Sequence, residues 1–174
     1  GATGSGKSTT LAAMVHDINQ RFPYHIVTIE DPIEFIHSPI MSKITQREVG
    51  GDTQSFNEGL RRVVRQSPDV IMIGEMRDKE SIQVALAAAL TGHLVLATLH
   101  TIDASQTLQR LMSYFPEHAR AQVAMDLSLS LRGIVSQRLL PKILGGRVLA
   151  TEILTNTPAV GQLLRERDYS GLED

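Results

Sequence analysis

Apolar and polar positions fall in two kinds of block along this chain. Long blocks repeat at helical spacing, and short blocks are apolar throughout. Leu11, Met14, Val15 and Ile18 recur three and four residues apart, which predicts a helix over Lys7–Gln20. Ile26–Ile29, Val70–Ile73 and Leu94–Thr98 are short apolar runs. The last two read as strands buried on both faces of a parallel sheet. Phe56–Gln66 and the Ala-rich Glu80–Leu90, stopped by Gly92, read as helices. Phe35–Ile44, which contains Pro39, reads as an irregular or hairpin segment. Further on, Ser105–Ser113 and Glu117–Leu131 are predicted helices separated at Pro116. Ile134–Leu139 and Arg147–Ile153 are predicted strands joined near Gly145-Gly146, a hairpin signal. Pro158–Arg167 is a predicted helix with Pro near its start. Strands followed by crossover helices predict a three-layer α/β fold with a mostly parallel sheet and late antiparallel strands.

Composition narrows the class. The chain has 174 residues, enough for one domain with a real core. A net charge of −2 gives no global basic footprint, and 4% aromatics with no Trp leave few stacking platforms, so nucleic acid is not expected as a partner. There are no cysteines, which excludes disulfides and thiolate metal sites and is compatible with a reducing cytosol. No apolar run approaches the roughly 20 residues that span a bilayer.

The chemistry starts at the first residue. Gly1-Ala2-Thr3-Gly4-Ser5-Gly6-Lys7-Ser8 is a full G-x-x-x-x-G-K-[ST] phosphate loop. Its glycines let backbone N–H groups turn inward around a phosphate. Lys7 supplies a point charge for the β- and γ-phosphates, Ser8 a hydroxyl for Mg²⁺, and Thr9 a donor for the α-phosphate. The helix that follows adds its positive end to the anion site. The expected ligands are therefore ATP and Mg²⁺. A strand normally leads into such a loop, so the expectation is a chain truncated at its N-terminus.

Ligands in parallel α/β sheets sit at the carboxyl ends of strands. Three predicted strand ends carry polar groups there. The first is Glu30-Asp31-Pro32-Ile33-Glu34, with three carboxylates in five residues. Beside a triphosphate such acids hold Mg²⁺ or activate water, and any single one can instead cap a turn or pair with Arg. The second is Gly74-Glu75-Met76-Arg77-Asp78 after Val70–Ile73, a Walker B-type strand whose usual Asp is replaced by Gly74. Glu75 is its acid, and Arg77 and Asp78 are expected to pair with each other or with a neighbouring subunit. The third is Thr98-Leu99-His100-Thr101. His100 is placed to meet a γ-phosphate, while His93 starts the same strand about 20 Å away by strand rise. Arg61, Arg62 and Arg65 share one helix and admit two readings, a solvated basic face or an intersubunit contact.

The stretch from Val64 to Asp78 resembles the signature of the secretion ATPases that drive type II secretion and type IV pili. Thr28–Glu34 resembles their aspartate box, and Gly92–Thr101 their histidine box. With the phosphate loop these motifs stand in the family's order and spacing. Gln137-Arg138-Leu139-Leu140-Pro141, then Gly145-Gly146-Arg147-Val148, together with the lack of a four-cysteine loop, resembles the pilus-retraction group (PilT/PilU type). The resemblance implies a RecA-like P-loop NTPase core over residues 1–174, the C-terminal ATPase domain of a parent whose N-terminal PAS-like domain is missing. It implies a homo-hexamer that hydrolyses ATP with Mg²⁺, works in the cytoplasm, and meets the inner membrane through a pilus platform protein. It makes Glu34 the general base, Glu75 the Walker B acid near Mg²⁺, and His93 and His100 the histidine-box pair. Glu30 joins the nucleotide-binding set. Three alternatives stay open: an assembly, secretion or DNA-transfer ATPase of the same family; a nucleotide-binding ring subunit with little hydrolysis; and a RecA-like nucleic-acid enzyme.

Overall fold

The computed structural model describes residues 1–172, which separate into two compact units. Ser8–Thr98 forms a sheet unit; Gly1–Lys7 with the residues from Leu99 onward forms a hairpin unit.

The sheet unit carries four parallel strands, β1 (His25–Glu30), β2 (Lys43–Glu48), β3 (Val70–Ile73) and β4 (Leu94–Ala97), in the order β2-β1-β3-β4. Three helices accompany them: α1 (Lys7–Arg21), α2 (Phe56–Val64) and α3 (Lys79–Leu90). Strand alternation sorts the side chains onto two faces. Val27, Ile29, Ile71 and Ile73 pack with Phe56, Leu60 and Val63 of α2 and with Ala85 and Ala88 of α3. Ile26, Val70 and Met72 pack on the other face with Leu11 and Val15 of α1. Helices therefore cover both faces of a parallel sheet, as the apolar runs predict. The strand ends coincide: Ile29 pairs with Ile73, and Ile73 with Ala97.

Of the two readings of Phe35–Ile44, the irregular one holds up to residue 42, and the strand β2 that follows was not foreseen. An irregular stretch leads into β2, which pairs parallel to β1 along six residues. Its sequence, KITQRE, has one apolar residue, so its strand state comes from the ladder with β1 rather than from burial. β4 was expected to be buried, but among the described residues it is an edge strand of this sheet, with Leu94 39% exposed.

The hairpin unit contains α4 (Ala104–Ser113), α5 (Glu117–Ser130), α6 (Pro158–Glu166) and a two-stranded antiparallel ribbon, β5 (Gly133–Pro141) with β6 (Arg147–Thr155). The ribbon is a sheet of its own among the described residues. Asn156 fixes its base to α5 by donating to the carbonyls of Ser128 and Leu131 at 3.0 and 2.9 Å. Glu152 on β6 accepts from the backbone N–H of Ala104 at 3.0 Å and so caps α4. Glu117 binds Arg120 and Arg167, each at 2.6 Å. The hydrogen bond from Arg167 holds its carboxyl below the usual range.

Candidate nucleotide site

In the hairpin unit the phosphate loop has the backbone of an anion cradle. Gly4 and Gly6 have φ of +75° and +90°, a region that side chains avoid. A Cβ at either would meet nothing within 4 Å, so it is the positive φ and not crowding that calls for glycine there. A Cβ on Gly1, by contrast, would lie 2.6 Å from the carbonyl oxygen of Gln137 on β5, so the loop start needs a residue without a side chain. Lys7 donates to the carbonyls of Gly1 and Ala2 at 3.0 and 2.9 Å, which keeps its ammonium against the loop. His100 Nδ1 lies 3.4 Å from Thr3 Oγ1. Ser5 is buried, and its hydroxyl has no protein hydrogen-bond partner.

In the sheet unit the expected acids take three different environments. Ser8 Oγ donates to Glu34 Oε1 at 2.9 Å, joining the last residue of the loop motif to a carboxylate 26 positions away. Glu34 rides on an irregular segment that the sheet edge holds in place. The N–H of Ile33 donates to Glu48 Oε2 at 2.9 Å, and Gln46 Nε2 donates to the carbonyl of Phe35 at 2.9 Å. Further along, buried Asn19 of α1 donates to Ser38 O at 2.8 Å and accepts from the N–H of Ile40 at 2.9 Å. The Asp31–Pro32 peptide is cis. Glu30 is turned inward at 7% exposure, where Thr28 Oγ1 and Gln46 Nε2 donate to it at 2.7 and 3.2 Å. Among the three acids it is the one held inside the fold.

At the exit of β3, Arg77 donates from Nε and Nη2 to Glu75 Oε2, both at 2.8 Å, and reaches Asp31 Oδ2 at 3.7 Å. The expected Arg77–Asp78 pair is not formed. Asp78 instead caps α3, accepting from the N–H of Ser81 at 2.7 Å. The reason is direction: Asp78 faces the free N–H groups of the helix it precedes, while Arg77 faces back across the strand ends. The bridge to Asp31 was not foreseen from the sequence, because that partner arrives just past the end of β1. Gly74 stands where β1 and β3 come close; a Cβ there would lie 3.4 Å from Glu30 Cα and from Ile29 O. That is ordinary contact, so a small side chain would fit there, and nothing in the structure explains the glycine in the usual Asp position.

His93 sits at the C-terminal end of α3, with Nδ1 2.9 Å from the Ala88 carbonyl and 3.2 Å from Thr91 Oγ1. Its ring closes a helix end, a use that its spacing from His100 did not suggest. On α2, Arg62 pairs with Glu58 and Arg61 donates to Asn57 at 3.1 Å, the behaviour of a solvated basic face.

The donor set suits Mg²⁺ carried by a nucleotide. The Ser8 hydroxyl and the Glu75 carboxylate are hard oxygen donors, and Glu34 is hydrogen-bonded to the first of them. Among the described residues no group of three or more His, Cys, Asp or Glu forms a self-sufficient metal cage. Mg²⁺ ordinarily takes one or two protein oxygens plus phosphates and water.

Comparison with known proteins gives the same family. Residues 1–167 match the family described as "Type II/IV secretion system protein". The type IV pilus retraction ATPase PilT of Pseudomonas aeruginosa is 53% identical over 166 residues, covering 95% of this chain and 48% of that protein. The type IV pilus ATPase PilU of the same organism is 51% identical over 174 residues, 99% of this chain and 46% of that one. A crystal structure of the pilus retraction motor PilT with bound ADP superposes with a TM-score of 0.96 at 53% identity, covering 99% of this chain and 50% of that one. The chain spans about half the length of the curated relatives it matches. A phosphate loop followed by parallel strands with acidic exits, matched by this family over nearly all of its length, makes the chain a member of the type II/IV secretion system protein family.

Proposed function

We propose that this chain is the ATP-hydrolysing core of a motor that retracts type IV pili. The observation that carries the reading is the likeness to PilT, 53% identity with a TM-score of 0.96 to a structure holding ADP, over a chain that keeps the loop and both acidic strand exits. The active form is a homo-hexamer, cytoplasmic and held at the inner membrane by a platform protein. Among the described residues no helix is long and apolar enough to cross a membrane.

In this reading the backbone from Gly1 to Gly6 wraps the phosphates, Thr9 donates to the α-phosphate, and Lys7 and His100 neutralise the γ-phosphate oxygens. Glu34 orients the attacking water and takes its proton. Ser8 and Glu75 would hold Mg²⁺, which supplies charge neutralisation on the phosphate oxygens when bound. Glu30 and His93 are part of the nucleotide-binding set through position: one braces the end of β1, the other the turn into β4. Turnover then releases a closed contact between subunits and yields a mechanical step.

The test pairs ATP turnover as a function of protein concentration with particle size, and adds twitching in a strain lacking its own retraction motor. Turnover that rises steeply as rings form, with twitching restored by the complete protein, is the expected result. A protein that turns over ATP but does not restore twitching would refute the pilus reading and leave the ATPase reading standing.

A further inference from the structure

The distal end of the β5–β6 ribbon has a surface that ATP chemistry does not use. Ile143 and Leu144, in the connecting turn, are 103% and 99% exposed. The turn is ordered by its own backbone: Lys142 N–H donates to Gly146 O at 3.0 Å, and Gly145 N–H donates to Lys142 O at 3.1 Å. Gly145 and Gly146 have φ of +89° and +79°, so the glycines set the bend that presents the two aliphatic side chains. From Gln137 to Thr151 the chain carries Arg138, Lys142 and Arg147, and neither Asp nor Glu. All three cations are exposed, and among the described residues none has an ion-pair partner.

We propose that this tip docks on an anionic lipid surface, inserting Ile143 and Leu144 below the headgroups while Lys142, Arg147 and Arg138 meet lipid phosphates. The order of chemistry along the ribbon supports lipid over other occupants. The aliphatic groups lead, and Lys142 and Arg147 flank them. Arg138 follows about 10 Å behind at the usual strand rise. A bilayer presents the complementary order, phosphate at the surface and hydrocarbon beneath. Lys and Arg stems lie along apolar surface while their heads stay in the polar layer. No aromatic residue lies between Gln137 and Thr151, so the tip lacks the stacking groups that single-stranded nucleic acid takes.

The experiment is co-sedimentation of the chain with vesicles of phosphatidylcholine alone and of phosphatidylcholine mixed with phosphatidylglycerol. Three proteins are compared: wild type, Ile143→Ser with Leu144→Ser, and Lys142→Gln with Arg147→Gln. All four positions are exposed, so the fold should tolerate them, and circular dichroism checks it. Wild type should partition onto the phosphatidylglycerol vesicles and lose binding with added salt. Each double variant should bind about tenfold more weakly or worse. A direct readout uses the absence of native cysteine. An environment-sensitive dye on Ile143→Cys should shift to the blue on these vesicles, and the same dye on Gln20→Cys of α1 should not. Wild type that stays off both vesicle types, or variants that bind as wild type does, would overturn the proposal.

Discussion

Replacing Glu34 with Gln isolates the chemistry of one oxygen. In the sheet unit Ser8 Oγ donates to Glu34 Oε1 at 2.9 Å, and the amide oxygen of Gln accepts the same bond. The segment carrying residue 34 is held by Glu48, Gln46 and Asn19, which bond to backbone atoms of residues 33, 35, 38 and 40 rather than to the altered side chain. Fold and loop geometry should therefore survive. The ground-state change is one charge-assisted hydrogen bond exchanged for a neutral one, about 1 kcal/mol. That corresponds to roughly a fivefold change in nucleotide affinity at most. What the amide cannot do is take a proton from water. General-base catalysis contributes about 10²–10⁴ in rate. The barrier should accordingly rise by about 3–5 kcal/mol. The assay is single-turnover hydrolysis at saturating ATP, with affinity measured separately by titration of a non-hydrolysable analogue. A turnover within threefold of wild type would refute the role of Glu34. A collapse of affinity with melting temperature unchanged would instead show that Glu34 acts in binding.

Arg77→Gln frees Glu75 and Asp31 from an exposed cation, so melting should change little, by under about 1 kcal/mol. The Mg²⁺ concentration at half-maximal nucleotide binding should fall, and an unchanged Mg²⁺ titration would refute the competition between Arg77 and the metal. Leu60→Ala empties a site at 0% exposure between α2 and the sheet and should cost about 2–5 kcal/mol by chemical denaturation; a loss under about 1 kcal/mol would refute its place in the core. Burial holds the imidazole of His37 below its ordinary pKa, with Glu30 pulling it up and His16 pushing it further down. The unfolded chain thus takes that proton first, so stability is full above about pH 6.5 and falls as acid carries the pH down through the folded value. Wild type should lose more melting temperature between about pH 7.5 and 5.5 than His37→Gln does, and equal losses would refute the assignment.

What was legible in the sequence follows from which interactions are local. Ile71 and Ile73 face one helix layer and Val70 and Met72 the other, so a run with no polar residue could only be a strand covered on both sides. The phosphate loop was legible because the backbone conformation is written into Gly4 and Gly6 themselves. β2 was illegible because its sequence alternates weakly and its state depends on six pairings with β1. β4 misled for the opposite reason: Leu94-Val95-Leu96-Ala97 reads as core, yet among the described residues it pairs with β3 alone. Of the two partners the sequence left open for Arg77, Asp78 is not taken within the chain: geometry gives Arg77 to Glu75 and to an aspartate 46 positions earlier. Polar side chains that bridge elements leave no periodic trace, and Asn19 is the clearest instance. It is a mid-pattern helix residue at 1% exposure that fixes the backbone of residues 38–42.

These observations tie the proposed base to the most polar strand of the sheet. Glu34 has no regular element of its own, so its position is set by the bonds that flank it. Ile33 is fixed by Glu48 and Phe35 by Gln46, and both partners lie on β2. β2 in turn is ordered by β1, whose last residue, Glu30, also accepts from Gln46. Gln46 thus serves the buried acid and the proposed base together. This explains how an inward-facing Glu30 belongs to the same motif as an outward-facing Glu34. The first acid anchors the amide that positions the second. A strand of polar residues is suited to that work, since each outward side chain of KITQRE that bonds to the preceding segment would be lost if the strand were apolar. The features that hide β2 from a hydrophobicity pattern are the ones that let it hold the site.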